Sequence, residues 1–193
     1  MNNIRRSSLS ETLRKDLQLA ATALQKRDFE RVVKILLPWV QRNSNQSEVF
    51  QMLGVSLIHL GRLHDALKVQ KRATEIFPQD AAVWINLAAT QERIGDTDAA
   101  LRSLGRAAEI DDKQPALFFN RGNALLKRGQ PAAALDSFRR AEELIGPHPD
   151  LACNSAIALR DLGRLDEAQM VLETMLDRYP RHSTAWNLLG TIF

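Results

Sequence analysis

Asn86, Asn120 and Asn154 stand 34 residues apart in the chain. A side-chain amide donates and accepts hydrogen bonds at once, so amides recurring at one position could bind successive peptide groups of an extended strand without depending on its side chains. Asn is a poor helix former, and its recurrence asks for a reason. That reason is contact with a ligand, a tie between neighbouring structural units, or descent from one duplicated segment. Asn123 adds another amide close by.

The other reactive residue types do not assemble into catalytic sets. His59, His64, His148 and His182 are scattered, with no two at the i, i+4 spacing of a helical metal pair. His148 falls in a Gly146-Pro147-His148-Pro149 stretch that reads as a turn. Cys153 is the single cysteine; it cannot form an intramolecular disulfide and has no base at fixed spacing, so it reads as a small packing residue. No glycine loop is of the phosphate-cradling kind, since turns and close helix contacts account for the glycines. Catalytic residues, metal ligands and cofactors are therefore not expected, and the chain reads as a non-enzyme.

Composition points to helices: Ala and Leu abound, while the aromatic residues that half-buried strands favour make up only 6%. The formal net charge of +3 is uneven. Residues 1–46 carry nine Lys and Arg against four acids, leaving 17 bases and 19 acids for the rest. A basic front section suits steering toward an acidic partner or, more commonly, a solvated helix face. The first ten residues have Arg5 and Arg6 but no apolar segment behind them, unlike a secretory signal. No run approaches the ~18 apolar residues that span a bilayer. The expected setting is the reducing cytoplasm, away from membranes.

The elements that must position these residues follow from a repeat. Gly61, Gly95, Gly129 and Gly163 share the 34-residue interval, as do Ala66, Ala100, Ala134 and Ala168. Each interval holds two apolar-periodic stretches of helix length, separated by a glycine able to end a helix in the left-handed conformation. Two antiparallel helices per unit result. Small residues such as Gly54, Ala66 and Ala73 let the two helices approach, bulky Phe50, Trp84, Phe118 and Trp186 fill the seams, and Pro78 or Pro180 prevents continuation.

With Phe50, Leu53, Gly54, Leu57, Ala66, Ala73 and Pro78 in the first clear unit and their counterparts thereafter, the chain resembles the tetratricopeptide repeat family. The resemblance covers nearly the whole chain and implies an all-α fold, an α-α superhelix of antiparallel helix pairs. The expected organisation is an N-terminal tail and first-helix start over 1–12 and a divergent capping repeat over 13–46. Repeats follow over 47–80, 81–114, 115–148 and 149–182, and a truncated repeat begins at 183–193. In the capping unit Arg27 holds the glycine position and Pro38 sits late in the second helix.

The family resemblance also implies that first helices line a concave groove. Asn86, Asn120, Asn154 and Asn123 then face that groove, an arrangement similar to the asparagine ladder of O-linked N-acetylglucosamine transferases. Ile85, Phe119 and Ile157 flank them, with Val55, Ile58 and Leu126, either as packing or as pockets for alternate side chains. Lys127 and Arg160 lie further out among mixed charges. The groove lacks the basic residues by which some family members clamp a C-terminal carboxylate, since the positions concerned read Glu48, Ala82, Ala116, Asp150 and Thr184. Nucleic acid is not expected, because the repeats after residue 46 carry slight net negative charge. The expected function is a protein-interaction scaffold holding an extended peptide. The alternative is a substrate-recognition module of a larger glycosyltransferase or sulfotransferase. Self-association through the open C-terminal repeat, with Trp186, Leu189 and Phe193 buried against a neighbour, is a further expectation.

Overall fold

The computed structural model describes residues 2–42 and 44–192. Among these the secondary structure is entirely helical, as expected. In order the helices are α1 (Asn2–Gln25), α2 (Phe29–Gln41), α3 (Ser47–His59), α4 (Leu63–Ile76), α5 (Ala81–Ile94), α6 (Thr97–Ile110), α7 (Pro115–Lys127), α8 (Pro131–Ile145), α9 (Pro149–Asp161), α10 (Leu165–Arg178) and α11 (Ser183–Ile192). The chain divides into two compact units, Met1–Asp96 with α1 to α5 and Thr97–Phe193 with α6 to α11. Within each unit successive helices pack together. The first helices of the pairs also touch, α1 with α3 and α3 with α5 in one unit, α7 with α9 and α9 with α11 in the other.

The turns inside the helix pairs share one geometry. Gly61, Gly95, Gly129 and Gly163 adopt φ of 73°, 95°, 72° and 72°. In each turn two amides reach back to carbonyls of the helix just ended, as when Gly61 N–H donates to Ile58 O at 3.0 Å and Arg62 N–H to Leu57 O at 2.8 Å. This pattern satisfies carbonyls that a helix end leaves without partners. Arg27 makes the same turn at φ 57°, with its own N–H on Leu24 O and that of Asp28 on Ala23 O, both at 2.9 Å. Among the described residues it is the one non-glycine at positive φ, a conformation that costs an L-residue ~1–2 kcal/mol.

The helix starts are equally local. Asp80 accepts from Ala82 N–H at 2.9 Å and Asp28 from Arg31 N–H at 3.2 Å, each capping the helix that follows. Pro115, Pro131 and Pro149 stand in the first turns of α7, α8 and α9, where a missing N–H costs nothing. Pro38 lies inside α2, which nevertheless continues to Gln41. The next residue anchors this end, since Trp39 is buried and its Nε1–H donates to Asp16 Oδ2 of α1 at 2.8 Å.

Packing within the pairs turns on small residues. Gly122 of α7 faces Phe138 of α8 so closely that a Cβ there would overlap the ring, and Phe138 is fully buried. Gly54 of α3 faces Gln70 of α4 in the same way. In the α9–α10 pair the corresponding residues are Ala156 and Leu172, both buried in one cluster. Glycine thus faces the side chains of longer reach, Gln70 and Phe138, and alanine the shorter Leu172. Gln70 is the misfit of the set, because it is fully buried while its Nε2 and Oε1 both lack hydrogen-bond partners.

Two substitutions follow from these observations. Arg27→Gly removes the left-handed strain and should raise unfolding free energy by about 0.5–1 kcal/mol, the relief exceeding the lost 5.9 Å contact of its guanidinium with the Phe29 ring. Gln70→Leu replaces an unpaired buried amide with the residue that Leu172 represents in the last complete pair, and should stabilise by about 1–3 kcal/mol. Urea denaturation followed by circular dichroism measures both, and destabilisation by Gln70→Leu would show that the amide has a partner after all.

Candidate functional site

The residues that the sequence singles out lie on the first helices of the pairs, and each unit holds its own share. In the first unit, Asn86 and Ile85 are on α5. Asn86 is half-buried, and its backbone carbonyl accepts from Thr90 Oγ1–H at 3.1 Å. Ile85 is only 6% exposed, so of the two roles open to it, packing and pocket, it takes the first and presents almost no surface to a ligand. Burial of this aliphatic side chain is worth more than its exposure would be, by ~1.5–3 kcal/mol.

In the second unit α7 and α9 lie in contact and bring several residues together. Asn154 of α9 donates from Nδ2 to Asn123 Oδ1 of α7 at 2.9 Å, in a half-buried setting. Asn120 lies one helical turn before Asn123 on α7 and is half-buried. Phe119 is also half-buried; its ring centre lies 6.3 Å from that of Phe138, tilted by 60°, which anchors it to the core below. Ile157 follows Asn154 by one turn on α9 and is half-buried.

Charge sits at the C-terminal ends of these helices. Lys127 is exposed in the last turn of α7, and Arg160 occupies the last turn of α9. Arg160 donates to Asp161 Oδ1 from Nη2 at 3.0 Å and from Nε at 3.2 Å. Both cations complement the negative end of their helix dipole, so much of their placement is accounted for by helix stability.

The Asn123–Asn154 bond is a feature that inspection of aligned repeat positions does not reveal. The two residues occupy different places within their repeats and are 31 apart, one helical turn short of the period. Neighbouring first helices offset by a turn juxtapose just such residues, and a search for polar pairs at that shortened spacing would find this one. The bonded pair leaves the Asn154 Oδ1 and the Asn123 amide hydrogens as an acceptor and a donor group.

Elsewhere the chemistry is sparse. Cys153 is 5% exposed, and burial, reinforced by the Asp150 carboxylate, pushes its thiol pKa up. That shift keeps the thiol protonated and poorly nucleophilic. Among the described residues no group of His, Cys, Asp and Glu is placed to hold a metal ion, and no helix is long and apolar enough to cross a membrane.

Comparison with known proteins agrees with this architecture. The chain superposes on a thermophilic TPR protein of Thermus thermophilus with a TM-score of 0.78 and 18% identity, covering 93% of this chain and 97% of that one. MamA gives a TM-score of 0.69 at 17% identity over 90% of this chain and 95% of its own. YrrB, a TPR protein with an unusual peptide-binding site, gives 0.68 at 18% identity over 89% of both chains. At such identities these likenesses concern the fold. No curated protein matches the chain in sequence. The tetratricopeptide repeat model matches residues 57–118 and 125–192, about two thirds of the sequence, and the chain belongs to the tetratricopeptide repeat family.

Proposed function

We propose that this protein is a non-enzymatic interaction module that holds an extended peptide segment against the exposed face of its first helices. The observation that carries the reading is the Asn123–Asn154 pair. The amides bind each other through one donor and one acceptor, which holds both side chains still, and the remaining donor and acceptor match the C=O and N–H of a peptide group. Preorganisation of this kind lowers the entropy lost on binding. The inter-repeat tie and the ligand contact are thus one device.

Asn120 extends the polar track by one turn, and half-buried Phe119 and Ile157 flank it with apolar surface. An extended strand points alternate side chains to opposite sides, so apolar residues beside a track of amides suit every second ligand side chain. Asn86 is assigned the same role on α5 by its place in the repeat. Lys127 and Arg160 border the track and favour a ligand without strong positive charge. YrrB, which shares this fold, is a peptide binder by its description, and family members act as protein-binding scaffolds.

Selection from a displayed library of random linear peptides tests the proposal. Binders should compete with one another for the α7–α9 face, and Asn120→Ala and Asn154→Ala should each weaken them by about 0.5–1.5 kcal/mol, the net value of a hydrogen bond. Circular dichroism should show both variants folded. Selected peptides that bind the variants as tightly as the parent protein would overturn the assignment.

A further inference from the structure

A cavity of about 780 Å³ opens between α8, α9 and α10 of the second unit, and comparison with the preceding repeat shows what is missing from it. There the Arg140 guanidinium of α8 lies over the Phe118 ring of α7, 5.9 Å from its centre. The counterparts 34 residues later are Ala152 on α9 and Thr174 on α10, and both line the cavity. The Arg140–Glu143 pair at 2.8 Å, which recurs as Arg106–Glu109 and Arg72–Glu75, is likewise replaced by Thr174 and Asp177. This repeat has lost both the ring and the cation that covers it.

Part of the lost volume is restored from inside. Met175 stands where the earlier repeats have Ala73, Ala107 and Ala141, and it is 7% exposed. The rest stays open, with Met170 60% and Tyr179 39% exposed at the mouth. An apolar hollow of this kind is not explained by the packing of the fold, because the same fold fills the place with Phe50, Trp84 and Phe118 elsewhere.

We propose that the cavity receives an aromatic side chain from a partner polypeptide, which takes the place that Phe118 holds one repeat earlier. The walls suit a ring: thioethers are adaptable and make favourable sulfur–aromatic contacts, and Met170 and Met175 supply two. The volume exceeds that of one ring and lies within the ~300–1,000 Å³ typical of ligand sites, so residues flanking the ring also find room. Arg139, Glu142 and Asp177 at the rim offer donors and acceptors for their backbone. Single aromatic anchors in such pockets commonly dominate protein interfaces. Ala152 and Asn154 are two residues apart on α9 and so point to opposite sides of it. The pocket is therefore a docking point separate from the amide track and does not depend on the reading of that track.

Methyl-labelled methionine provides the test, because Met170 and Met175 line the cavity while Met52 lies in the other unit as a control. The probes are blocked pentapeptides, Ala-Ala-Trp-Ala-Ala and its Phe and all-Ala counterparts. The Trp and Phe peptides should shift the Met170 and Met175 signals saturably, leave Met52 in place, and outdo the all-Ala peptide. Ala152→Phe, which supplies the ring internally, should weaken binding by about tenfold or more. Thr174→Arg, an exposed change that restores the lid, should weaken it as well. Equal shifts with the all-Ala peptide, no saturable shift with the aromatic ones, or unchanged affinity in both variants would overturn the proposal. So would Met170 and Met175 shifts that grow with protein concentration alone, which would make a second copy the occupant.

Discussion

In the helix pairs α3–α4 and α7–α8 a backbone and a side chain come closer than two ordinary side chains would allow. Gly122 leaves room for Phe138 where a single methyl group would collide with the ring, and Gly54 does so for Gln70. Where the second helix supplies the shorter Leu172, the first can carry Ala156. Interiors are packed as tightly as organic crystals, so the size of one residue in a pair sets the size allowed to the other. Spacing between helices, and with it the position of anything displayed on their outer faces, follows from this exchange of volume. The left-handed turns make the exchange possible by reversing the chain at the same distance from each contact.

Such a scaffold is repetitive, and chemistry arises where it departs from repetition. The amide pair joins Asn123 of one repeat to Asn154 of the next, whereas the other repeats carry no second amide at the place of Asn123. The cavity opens because Ala152 and Thr174 replace a ring and a guanidinium together. Gln70 departs in another way: an amide occupies a position that apolar residues fill in other pairs, with no partner for its polar atoms. Two of these departures expose groups that can engage a ligand, and the third is confined to the core.

The fold was legible in the sequence because it depends on backbone requirements that recur. Glycines at a fixed interval announce left-handed turns, and even the divergent first unit obeys the rule, with Arg27 forced into the glycine conformation at φ 57°. The candidate site was legible only in outline. Asn86, Asn120 and Asn154 drew attention as equivalent residues, yet the hydrogen bond that forms joins Asn154 to the non-equivalent Asn123. Ile85 has the composition of a groove residue, but its exposure depends on how neighbouring helices close around it, and it is buried. The cavity escaped because a missing side chain leaves no motif. Ala152 and Thr174 look ordinary until the space between α8, α9 and α10 is seen.

The dependence of the fold on paired volumes can be measured by a double-mutant cycle on the contact between α7 and α8. Gly122→Ala alone should destabilise by about 1–3 kcal/mol through overpacking. Combined with Phe138→Leu, which reproduces the Ala156–Leu172 pairing, it should recover part of that loss. Paired volumes predict a favourable coupling of at least about 1 kcal/mol between the two changes in urea unfolding. Strict additivity, with the double variant losing the sum of the single losses, would contradict them.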